Sequence, residues 1–145
     1  MLNKFASVCC GFMFTIVAVF LVIKVTDTLY AAPLDGGKSQ RQSLRIIEQA
    51  VQTITERNEV NKNADRICAS EVPSTLFCIL ASASIDQIGH YEHHSIAMDA
   101  VRGAIYEHFP DRWTSHPIMD FNNHSDTTVA DMLFILELSR QQISQ

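Results

Sequence analysis

The sequence predicts an all-α fold: a small bundle of about five helices, preceded by one N-terminal transmembrane or signal helix. Three observations carry this. Phe5 to Ile23 is a 19-residue run without charge. Beyond Ser39, apolar residues recur at spacings of three and four and are bracketed by helix caps and stops. No segment sustains the apolar–polar alternation of a strand between turn signals.

The N-terminal run contains only Ser7 and Thr15 as clearly polar residues. At about 1.5 Å per residue it would span roughly 28 Å, close to the hydrocarbon thickness of a bilayer. Lys4 and the amino terminus precede it, whereas Lys24 and Asp27 behind it nearly cancel. That asymmetry predicts a cytoplasmic N-terminus and an extracytoplasmic remainder. A cleaved signal is the alternative, leaving a secreted protein. Its cleavage sites are poor, because cutting after Ala31 or Ala32 places Leu29 or Tyr30 at the third position back. Residues 1–30 are therefore read as anchor or signal. Residues 31–38, with Pro33 and Gly36-Gly37, are read as a flexible linker, and residues 39–145 as the helical domain.

The 145-residue chain has a formal net charge of −5, and beyond Leu34 its 15 Asp and Glu against 9 Lys and Arg leave −6. No basic stripe exists to displace counterions, which argues against nucleic acid as a partner. Cys9 and Cys10 lie in the apolar run, and Cys68 and Cys78 lie in the domain. No C-x-x-C pair supports a zinc knuckle or a thioredoxin-type site.

The first domain helix is expected to begin at Ser39, with Ser39 and Gln42 as a capping box. Leu44, Ile47, Val51 and Ile54 form its apolar stripe, and it should stop near Arg57-Asn58. Glu59 to Val72 reads as a loop. The stretch from Pro73 to Gly89 is the central helix: Leu76 to Ala81 is apolar on every side, so other helices must surround it. Ser74 or Thr75 is its expected cap and Gly89 its left-handed stop. A third helix runs from Tyr91 or Ser95 to Phe109, where Pro110 ends it. Ser115 is expected to cap a short helix starting at Pro117, and Asn122 to Ser125 to form a turn. Thr128 with Asp131 caps the last helix, which runs to about Gln141 with Val129, Met132, Leu133 and Leu136 inward.

The order of the apolar segment Phe77-Cys78-Ile79-Leu80-Ala81-Ser82-Ala83, then Ile118-Met119-Asp120-Phe121-Asn122-Asn123, then Thr128-Val129-Ala130-Asp131-Met132-Leu133 resembles a family of small bacterial and phage helical proteins of unassigned function. In that family a Trp-Cys-Ala-Leu-Gly-Ala-Leu-like helix precedes an Ile-x-x-Trp-Asn-Asp turn and a Thr-x-x-(Asp/Glu)-Val-Leu helix. The resemblance covers most of Ser39 to Gln142. This chain departs from it at Phe121, Asn123 and Ser82, and in the loop that follows the first helix. The resemblance implies an all-helical fold and a structural turn role for Asn122; it implies no activity.

Three constellations are candidates for chemistry. His90, His93 and His94 form the densest one: on a helix, His90 and His94 would share a face at i,i+4, a spacing suited to zinc. Glu107, His108 or His116 would be needed as a further ligand. The alternative is a solvated junction following Gly89. Asp111, His116, His124 and Asp126 with Ser115 or Ser125 supply the residue types of a hydrolytic triad, but no nucleophile-elbow motif accompanies them, and Ser115 and Asp126 are better explained as caps. Cys68 and Cys78 would form a disulfide outside the cytoplasm; otherwise Cys78 is a small buried hydrophobe. Tyr91, Tyr106, Phe109 and Trp113 either make a partner-binding patch or close one end of the core.

Taken together, the sequence predicts a membrane-tethered, non-enzymatic interaction domain, held to the membrane through residues 5–23, with another protein as partner and no cofactor. A zinc-binding or metal-dependent hydrolase domain on the histidine cluster is the alternative.

Overall fold

A computed structural model describes residues 36–59, 61–64, 67–68 and 75–145, with side chains from residue 39 onward. The expected anchor at residues 5–23, the cleavage sites after Ala31 and Ala32, residues 31–35 of the linker, and Ser74 lie outside the described residues. The chain divides into two units at Gly36–Gly37, and the second unit is the subject below.

The described part is all-helical, with five α-helices and no strand among the described residues. These are α1 (Gly36–Arg57), α2 (Leu76–Ile88), α3 (Ile96–His108), α4 (Pro117–Asn123) and α5 (Val129–Ile143), with a 3-10 turn at Pro110–Arg112. No described helix is long and apolar enough to cross a membrane.

Helix α1 begins three residues earlier than the capping pattern predicted, so Gly36 to Lys38 are helical and are not linker. Ser39 is therefore inside the helix and does not cap it. Its carbonyl accepts the Ser43 hydroxyl at 2.9 Å, a common use of serine within a helix. The buried stripe centres on Ile46, Ile47, Ala50 and Ile54, while Leu44 and Val51 flank it, partly buried. Asn58 ends the helix in the left-handed region, φ 51°, with its N–H on the Ile54 carbonyl. Gln49 ties α1 to α2 by donating to Asp86 and accepting from Gln87. Gln40 donates to the Ile143 carbonyl at the end of α5.

Helix α2 buries most of its circumference and packs on α4, while α3 packs on both α4 and α5. Leu76, Cys78, Ile79, Leu80, Ala81, Ala83 and Ser84 are all buried. Thr75 caps it by accepting the Cys78 N–H, and Gly89 at φ 84° closes it. Ser95 caps α3 by accepting the Met98 N–H. At α5, Thr128 and Asp131 form a reciprocal capping box. This helix buries Met132, Ile135, Leu136, Ser139 and Ile143, and Phe134 is exposed.

Two expectations fail around α4. Ser115 does not cap it: His116 occupies the cap position without a side-chain bond. Instead Asp120, inside the helix, reaches back. Its Oδ2 accepts the N–H groups of Thr114, Ser115 and His116 and the Thr114 hydroxyl, all at 2.8–3.0 Å. The second failure concerns Asn122 and Asn123, which are the last residues of α4 and not a turn; the turn is at residues 124–126. Asn122 is fully buried. Its Oδ1 accepts the Leu76 N–H at 2.9 Å, and its Nδ2 donates to the Asn61 carbonyl at 2.7 Å. Asn123 pairs with both backbone groups of Ala64, at 2.7 and 2.9 Å. Lys62 completes the clamp by donating to the carbonyls of His124 and Thr127.

Replacing Asn122 by Leu would leave the buried Leu76 N–H without its acceptor. An Asn122→Leu variant should lose about 2–3 kcal/mol of unfolding free energy, measured by urea titration. The Asp120 carboxyl is raised by burial, but its four donors outweigh that and hold it at about 2 instead of 3.8. A depressed folded value contributes stability that is present above the ordinary carboxyl range and is lost as pH falls toward 2. The wild type should lose about 1–2 kcal/mol more than Asp120→Asn between pH 5 and pH 2, allowing for partial exposure.

Candidate functional site

A cleft of about 750 Å³ lies between α2, the 91–94 loop, α3 and the start of α4. That volume is in the range of small-molecule sites. Phe77 and Ala81 of α2 form one wall, and Ile118 and Met119 of α4 another. Tyr91, His93 and His94 come from the loop, and Arg102 and Tyr106 from α3. Residues 115–117 contribute the edge that the Asp120 carboxylate shapes.

Aromatic edges build the loop side. Phe77 and Tyr91 meet edge to face at 5.7 Å between centroids, and His93 and His94 at 4.7 Å. The Tyr91 hydroxyl lies 2.9 Å from His93 Nδ1. Arg102 reaches this group from α3. Its Nη1 donates to Asp99 at 2.7 Å and its Nη2 lies 3.1 Å from His93 Nδ1. The Arg102 side chain is only 13% exposed, so its guanidinium is held in a fixed pose by Asp99 and His93.

The expected zinc geometry is not formed. Residues 89–95 are bends and turns, not helix, so His90 and His94 do not share a helical face. The His90 carbonyl accepts the Ser84 hydroxyl at 3.1 Å. His93 has a guanidinium beside Nδ1, which repels a dication, and His94 lies 3.4 Å from Asp99. Among the described residues, no three His, Cys, Asp or Glu side chains come together as a metal set.

The triad residues are used locally. Ser125 donates to Asp126 at 2.9 Å, and the Asp126 N–H lies 3.3 Å from His124 Nδ1. Burial and the nearby Arg112 lower the Lys62 ammonium, while Asp126 and Asp131 oppose them. Asp131, raised by burial, is lowered on balance by the Thr128 N–H and by Arg112, which lies 3.0 Å away. These groups brace the 124–131 corner.

The aromatic residues divide. Tyr91 and Tyr106 line the cleft, and Tyr106 stacks obliquely on Trp113 at 4.4 Å between centroids. Phe109 packs on Phe121 at 5.0 Å under the Arg112 guanidinium, away from the cleft lining. Nothing in the sequence analysis singles out Arg102.

Cys68 and Cys78 are joined by a disulfide, with Cα atoms 5.4 Å apart. Cys78 is buried on α2 and Cys68 is exposed at the rim of the cleft. The bond ties the loop to the helix that carries Phe77 and Ala81. No protein-family model, curated protein sequence or solved structure matches the chain, so the family resemblance rests on the residues that suggested it.

Removing the bond in a Cys68→Ser, Cys78→Ala variant should lower unfolding free energy by about 3 kcal/mol, from the entropy of a ten-residue loop. The same variant should show faster amide hydrogen exchange at residues 61–68, with α5 little changed.

Proposed function

We propose that this chain is a membrane-tethered, non-enzymatic interaction module whose helical domain works outside the cytoplasm. The observation that carries this reading is the Cys68–Cys78 disulfide. Such bonds persist in oxidising compartments and are rare in the reducing cytosol. The uncharged run at residues 5–23 supplies the tether, with the charge asymmetry around it favouring an external C-terminus. The bundle itself supports a binding role. Its polar clusters at Asp120, Asp131 and Asn122 are spent on holding loops, whereas the cleft presents aromatic and cationic groups to solvent.

Two measurements test the reading. A periplasmic-type alkaline phosphatase reporter fused after Gln145 should be active, and a cytosol-restricted fluorescent reporter at the same place should be dark. In intact cells, Cys68 and Cys78 should resist a thiol-reactive polyethylene glycol maleimide until reductant is added. A bright cytosolic reporter with both thiols alkylated would overturn the proposal. A mature chain starting at Ala32 would overturn the tether while keeping the external location.

A further inference from the structure

We propose that the cleft beside Arg102 is a binding site for a small amphipathic anion: an aromatic or aliphatic body carrying one carboxylate-type headgroup. This goes beyond the interaction reading and holds wherever the domain resides.

Charge is the first argument. Among the described residues, those lining the cleft include Arg102 and three histidines, and no Asp or Glu. Asp99, the carboxylate that pairs with Arg102, does not line the cleft. A guanidinium offers five N–H donors in a planar fork suited to a carboxylate. Arg102 directs one toward Asp99 and one toward His93, and the rest of the fork has no partner among the described residues. The remaining N–H groups are open to an anion in the cleft.

Shape is the second argument. Phe77, Ala81, Ile118 and Met119 make the inner walls apolar, and the site is larger than a free inorganic anion needs. A body of roughly ten carbon atoms suits this volume, with its headgroup at Arg102 and its ring against Phe77 and Tyr91. The guanidinium is also oriented before the ligand arrives, because Asp99 and His93 already fix it; preorganisation of this kind favours affinity.

The full chain in lipid nanodiscs, titrated calorimetrically against empty nanodiscs, provides the test. The probe is 1-naphthylacetate, compared with its uncharged analogue 1-naphthylacetamide. Saturable one-to-one binding of the acetate is expected, with the amide at least about tenfold weaker. Arg102→Gln should bring the acetate down to the level of the amide and leave the amide unchanged. His94→Glu places a negative charge at the lip on a side chain that is 78% exposed, so it leaves the core intact; it should weaken the acetate alone, by several-fold. Absence of saturable binding, equal affinity for acid and amide, or an unchanged affinity in His94→Glu would each overturn the proposal. Any of these results leaves the topology reading standing, because that reading is decided by the reporter fusions.

Discussion

The Asn122 side chain is the constraint on which the rest of the domain depends. It is a neutral amide with no water around it, and it joins three segments distant in sequence: α4, which carries it, the first N–H of α2, and the loop carbonyl of Asn61. A helix start in a core leaves N–H groups that nothing within the helix can satisfy. Thr75 satisfies one such donor on α2 and Asn122 another. Asn123 and Lys62 extend the same solution to the loop backbone. With these bonds made, residues 61–64 are held on α4, beside the start of α2.

Much of this architecture was legible in the sequence, for local reasons. The caps at Thr75 and Thr128, the stop at Gly89 and the break at Pro110 act within one turn of chain, where residue identity and spacing determine geometry. The apolar run of Leu76 to Ala81 likewise marks a largely buried helix. The errors arose where a side chain had two local uses. Ser39 reads as a cap but sits inside a helix that starts at Gly36. Ser115 reads as a cap, yet Asp120 five residues later takes three N–H groups at once. Asn122 and Asn123 read as turn formers because asparagine favours turns; their long-range partners, 46 to 61 residues away, reverse that reading.

The cleft was less legible, since it is built from residues that meet only after folding. The histidine cluster at 90–94 was visible, but its chemistry depended on a helical i,i+4 face that the loop does not adopt. Arg102 is nine residues from His93, and nothing local marks it as a half-enclosed cation. One signal was available: Arg102 follows Val101, a core residue on α3, so its stem starts close to the buried stripe. That places the guanidinium near the core boundary instead of in open solvent.

The clamp at Asn122, Asn123 and Lys62 also bears on the order of assembly. It holds residues 61–64 in place, and Cys68 is only four positions further along the chain. Once α2 and α4 have docked, Cys68 is therefore confined near Cys78, and the effective concentration of one thiol around the other is high. Oxidative closure then acts as a latch on a conformation already chosen by amide hydrogen bonds.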